Sequence, residues 1–129
     1  MAALAGTSLG RAALLLAAAD ILHAVDHLRQ DRPLSAEVYS AGVAGWIALG
    51  VLLVLVARGH RLAEPYAAAV GGSFAAGLLA VHVLPHWSVL SDPYADAGVD
   101  ALSWVLVAVP VAAAMALAIV ALRRSHSYV

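Results

Sequence analysis

From Val38 to Ala57 the chain runs through twenty residues without a charged side chain, and from Ala101 to Leu122 through twenty-two. A helix rises about 1.5 Å per residue, so each run can cross roughly 30 Å of hydrocarbon. Two further runs have span-like length, Tyr66 to about Leu84 and, less cleanly, Ala12 to Leu28. With 64% hydrophobic and 12% charged residues among 129, and a mean hydropathy of +0.91, the chain is too apolar for a water-solvated domain, where about a quarter of residues carry charge. The expected fold is an all-α integral membrane protein. A single domain over residues 1–129 forms an up-and-down bundle of four transmembrane helices, with spans at about 12–28, 38–57, 66–84 and 101–122. The short connections leave no room for a separate soluble domain.

The first span is the unusual one. It carries Asp20, His23, Asp26 and His27, and an Asp near mid-span costs roughly 2.5–3.5 kcal/mol against lipid, so this stripe is expected to face neighbouring helices. The rival reading makes Arg11 and the run Ala12 to Ala19 a signal peptide, with Ala17 and Ala19 at the cleavage positions. Pro33 and Ser35 precede the second span, Glu64 and Pro65 open the third, and Asp100 is placed to cap the fourth. Pro110 is expected to kink the fourth span, and Pro85 to end or bend the third.

Arginine placement sets the orientation. Arg11, Arg58, Arg61, Arg123 and Arg124 gather at one side, whereas only Arg29 and Arg32 lie on the other, among Asp31, Glu37, Asp92, Asp96 and Asp100. The positive-inside rule then puts both termini in the cytoplasm, with His60 and His126 as solvated residues there. Trp87 and Tyr94 suit an aromatic belt at the outer interface. The absence of lysine and the abundance of alanine are associated with GC-rich bacterial genomes, which points to a bacterial plasma membrane.

Four of the six histidines fall in two pairs of equal spacing, His23 with His27 and His82 with His86. Residues four apart stand about 40° apart on a helix, so each pair shares a face, and Asp20 joins the first stripe. In an up-and-down bundle the first and third spans are diagonal, so inward-facing pairs at equal depth converge on the axis. Glu37 and Asp100 start the second and fourth spans on the same side. This set, His23, His27, His82 and His86 with Asp20, Asp26, Glu37 and Asp100, suits Zn, Cu, Fe or Ni, the carboxylates serving as ligands or as partners of the imidazoles. His27 and His82 could instead bind one haem b axially. Each pair is followed by a loop with Asp and Pro and then a span with Trp near its outer end. At an offset of 59 residues the halves therefore read as a two-helix unit used twice. Each residue also has a plain structural account: His27 and His86 near helix ends, Glu37 and Asp100 as caps, and Asp26 paired with Arg29.

The run His23-Ala24-Val25-Asp26-His27 resembles the His-Ala-Val-Asp-containing signature of the nickel and cobalt permeases. The likeness spans five residues with a shorter spacing, in a chain of about half the spans, so it implies nickel or cobalt as ions to test and not membership.

The chain has no cysteine, which excludes disulfides and thiolate ligands, and a net charge of −1 gives no basic field for nucleic acid. It lacks the serine-elbow, zinc-protease and phosphate-loop motifs of common hydrolases, and no catalytic residue is assigned. The leading expectation is a transition-metal or haem site at the outer end of the bundle, acting in redox or metal handling. A non-catalytic accessory or scaffold subunit of a larger membrane complex is the alternative, since small residues such as Gly42, Gly45, Gly50, Gly71 and Gly72 suit a homodimer or a partner. A proton or cation pathway through Asp20, His23 and His27 is the third reading. Below Asp20, however, the span offers only Ala and Leu.

Overall fold

The computed structural model describes residues 2–125, so His126 lies outside the described part. Among the described residues there is no strand. The helices are α1 (Ala2–Ala5), α2 (Ser8–Arg29), α3 (Ala36–Ala57), α4 (Ala63–His82), α5 (Tyr94–Ala97) and α6 (Ala101–Ser125). The four long helices lie within a few residues of the apolar runs expected from the sequence to be helical; the short α1 and α5 carry no periodicity and were not foreseen. Three of them, α2, α3 and α6, are long and apolar enough to cross a membrane. The 20 residues of α4 include Glu64, Pro65, Gly71, Gly72, Ser73 and Gly77, which dilute its apolar character.

Local chemistry sets the boundaries. Thr7 Oγ1 accepts from Gly10 N at 3.0 Å to start α2, and Ser35 Oγ accepts from Val38 N at 3.2 Å to start α3. Asp100 Oδ1 accepts from Ser103 N at 3.0 Å to start α6. The chain leaves α2 through Asp31 at φ 49°, a left-handed turn that a short polar side chain tolerates. At α4 the helix ends on His82, because Pro85 cannot continue it. Helix α6, by contrast, runs unbroken through the buried Pro110.

Extended helix contacts run α2–α3, α3–α4, α4–α6 and α6–α2, with α4–α6 the most extensive. Helix α6 turns Val107, Pro110, Ala113, Ala114, Leu117 and Ala121 inward. Against it, Gly71 of α4 lets two backbones touch: a Cβ there would stand 2.6 Å from Ala114 O and 2.8 Å from Ala118 N. Small residues at such a contact replace the missing hydrophobic drive with close packing. Helix α3 is held far less, burying only Val38, Leu49 and Leu52 and touching Phe74 at Gly45. Toward its amino end it stands away from α2 and α4, and a cleft of about 1200 Å³ opens between the three helices.

The halves are therefore not equivalent. Helix α2 continues past His27 to Arg29 while α4 stops at His82, and α6 is central where α3 is peripheral. The two-helix repeat expected from the sequence does not extend to the packing.

The glycines of α4 give a paired test. Alanine at Gly71 would overlap the α6 backbone and is expected to lower stability by about 1–3 kcal/mol. Alanine at Gly72, where nothing lies within 4 Å, should instead stabilise by up to about 1 kcal/mol through helix propensity. Thermal unfolding of the two variants in detergent checks the opposite signs.

Candidate metal centre

Helices α2 and α4 both run their carboxyl ends to the same end of the molecule, and there three histidines meet. His23 and His27 stand one turn apart on α2, and His82 closes the last turn of α4. Their ring centroids form a nearly equilateral triangle: 4.7 Å for His23–His27, 5.0 Å for His23–His82 and 5.2 Å for His27–His82. One ring nitrogen of each lies within 4.8 Å of the others, a grouping that could hold a metal ion. Nitrogens bound to a single ion at about 2.0–2.1 Å stand roughly 3.3 Å apart, so small side-chain rotations would close the set. The carboxyl ends of two helices also present their negative dipole ends to a cation here.

His23 and His82 are buried and His27 is partly so. Nδ1 of His23 and Nδ1 of His27 are buried with no hydrogen-bond partner among the described residues. A buried polar atom left unpaired costs about 1–3 kcal/mol, so two such atoms side by side call for an account. His82 is pinned differently. Its Nδ1 lies 3.2 Å from the backbone oxygen of Asp92 and 3.8 Å from Asp92 Oδ2. Donation to that carbonyl fixes the tautomer that leaves Nε2 as a lone pair, the arrangement typical of a ligating histidine. Tyr94 covers the group, its ring 4.5 Å from His82 and 6.2 Å from His27. Burial pushes its phenol up to about 12, which keeps the hydroxyl protonated.

The loop from Val83 to Pro93 brings Asp92 and Tyr94 into place by folding back on α4. Asp92 N donates to Val81 O at 2.9 Å, and Trp87 Nε1 donates to Ala80 O at 2.6 Å. Arg32 then grips Asp92 Oδ1 at 2.8 Å. Neither Asp92 nor Tyr94 was a candidate ligand or partner from the sequence, because both lie outside any helical register with the histidines. The only signal was their position beside Pro93 in a turn next to the second pair.

The other candidates go elsewhere. His86 does not join the group: α4 has already ended, and the residue is exposed in the loop. Glu37 is exposed on the first turn of α3. Asp26 is fully buried but both oxygens are taken, by Arg29 Nε at 2.7 Å and Gln30 Nε2 at 2.7 Å. Asp100 takes a bidentate pair from Arg29 at 2.8 Å each, and Ser103 joins Arg29, Gln30 and Asp100. These carboxylates form a clamp between the end of α2 and the start of α6. Asp20, one turn below His23, is buried and lines the cleft beside the histidines.

Comparison of the chain with family models, with curated proteins and with solved structures finds no match. Axial ligation of a haem by His27 and His82 would need a flat macrocycle between them, and His23 edges against both rings, with centroids at 4.7 and 5.0 Å. The arrangement suits a single small ion and leaves no slot for a porphyrin between this pair.

The clamp makes two predictions. Arg29→Met strips the charge partner from fully buried Asp26 and is expected to lower the unfolding temperature, a loss that Asp26→Asn in the same chain should partly restore; thermal unfolding of the single and double variants measures it. Hydrogen bonds from Arg29 hold the Asp100 carboxyl down from 3.8 to about 2. A carboxyl whose pKa is depressed on folding stabilises fully above its unfolded value. Its contribution should thus be complete above about pH 4 and disappear as the pH falls toward 2, a slope that Asp100→Asn should flatten in unfolding curves taken across that range.

Proposed function

We propose that this chain is a four-span membrane protein that binds one transition-metal ion through His23, His27 and His82 and uses it in redox chemistry or metal handling. In this reading α4 is the fourth crossing, made tolerable by its long contact with α6, and the arginine-rich end faces the cytoplasm, which sets the histidines in the outer half of the membrane. The observation that carries the proposal is the pair of buried, unpartnered imidazole nitrogens on α2, facing a third histidine whose tautomer is fixed from behind. A bound ion turns those unpaired nitrogens into ligands.

Three protein ligands leave an ion with an open position, the pattern of reactive rather than purely structural sites. The group borders the cleft, so a fourth ligand can approach from that side. Asp20, one turn below His23, lines the same cleft and in this reading supplies either that ligand or a proton acceptor beside it. Zn, Cu, Fe, Ni and Co all accept imidazole, and the three-nitrogen set alone does not choose among them. The alternative, an accessory subunit, draws support from the small buried face of α3, whose remaining surface is open to lipid or to a partner.

Mass-spectrometric metal analysis of the detergent-purified protein tests the reading. About one equivalent of a transition metal is expected, lost in His23→Ala and in His82→Ala and retained in His86→Ala. Protein that stays metal-free after incubation with each of the five ions would overturn it, and loss of metal in His86→Ala would show that the ligand set is wrong.

A further inference from the structure

The cleft between α2, α3 and α4 is much larger than a metal site needs. It extends along α3 from Ala36 to Ala48, about 18 Å at the rise of a helix, and on α4 it reaches from His82 down to Tyr66. Its walls are mostly small or apolar, with Gly42, Gly45, Ala48 and Gly77 among them; its ionisable groups gather toward the histidine end in Asp20, His23, His27, Arg32 and His82, and Ser73, Tyr39 and Tyr66 add hydroxyls along the other walls. At Gly42 and at Gly77 an added Cβ would meet nothing within 4 Å, so the space is open and not filled by neighbouring side chains. Asp20 is 6% exposed, lines this space, and meets no hydrogen-bond donor among the described residues. A carboxyl so placed within a span is costly unless something donates to it.

We infer that the cleft binds an elongated membrane-soluble molecule with an apolar tail and a neutral hydroxylated head, of the hydroquinone class, whose hydroxyl donates to Asp20 beside the histidines. Length and lining select the tail: a slot of this extent with small-residue walls takes a chain lying along the helices. Unpartnered Asp20 selects a donor in the head. The choice of a neutral donor over an ammonium rests on the metal reading above, since a cationic head would meet the positive charge of the ion one turn away. The cleft lies at membrane depth, so the ligand enters sideways from lipid past α3, the least buried of the long helices.

Trp46 lines the cleft and supplies a reporter. In a chain carrying Trp87→Phe and Trp104→Phe, decylhydroquinone should quench the remaining tryptophan saturably, and decylbenzene, which has no hydroxyl, should need at least tenfold more to displace it. Gly42→Leu and Gly77→Leu fill open space without touching the metal ligands, and each should weaken the probe at least tenfold with metal content unchanged. Asp20→Ala should also weaken it at least tenfold. Non-saturable quenching, equal competition by decylbenzene, or affinity indifferent to both leucine variants would overturn the inference. So would cross-linking that shows a second copy seated in the cleft and released by Gly42→Leu. Metal analysis of the same samples separates the two readings. Metal without saturable probe binding sinks the cleft alone, while saturable, Asp20-dependent binding in metal-free protein sinks the metal centre and keeps the cleft.

Discussion

The histidine end depends on where α4 stops. Had the helix continued one more turn, His86 would have stood above His82 and the chain would have run on away from the site. Pro85 prevents this by denying the next turn a backbone donor and restricting Leu84 before it. The chain doubles back instead. Asp92 N returns to Val81 O at 2.9 Å, and that one return delivers a carbonyl to His82, an anchor for Arg32, and the ring of Tyr94 as a cover. The symmetry suggested by two equal histidine spacings is broken by one proline, and the third imidazole gains a backing that neither histidine on α2 has.

Most of the fold was legible because lipid imposes simple rules. Runs free of charge had to be helices of span length, and the capping residues Ser35 and Asp100 marked where two of them begin. The stripe of Asp20, His23 and His27 could be placed on one face from spacing alone, and its burial follows from the cost of charge in hydrocarbon. What spacing could not give was the division of labour among carboxylates. Asp26 is one residue from His27 and reads as a ligand, yet it points toward Arg29 and Gln30; Asp100 reads as a cap and is also a bidentate partner for Arg29. Helix register fixes a face but not which of two neighbouring polar side chains turns to the next helix. Asp92 and Tyr94 were out of reach for another reason, since a loop has no period from which direction can be read.

Packing strength is unevenly distributed, and the unevenness coincides with the site. Helix α6 is locked to α4 through the backbone contact at Gly71 and to α2 through the Arg29 clamp. At the opposite end Arg124 joins Glu64 at 3.0 Å. Helix α3 has no ion pair of this kind among the described residues; Ser35 just before it reaches Val89 O only at 3.4 Å. Two walls of the cleft are therefore tied to α6, and the third, α3, is buried far less. The proposed function, a ligand set held in register beside a cleft that admits something from lipid, calls for that combination.

The weight of the polar stripe argues against a purely structural account. A helix that needed only to pack against α6 would gain nothing from Asp20, His23 and His27, because Ala and Leu at those positions would bury without desolvation cost, as Ala13, Leu16 and Ala19 do on the same helix. The clamp residues show how this chain treats polar groups whose task is structural: the two oxygens of Asp26 each have a partner at 2.7 Å. Among the described residues the same helix leaves Nδ1 of His23 and of His27 buried without a hydrogen-bond partner, and Asp20, two turns below Asp26, lines the cleft. Satisfied groups beside unsatisfied ones on a single helix separate what holds the helices together from the three-histidine group that could hold a metal ion.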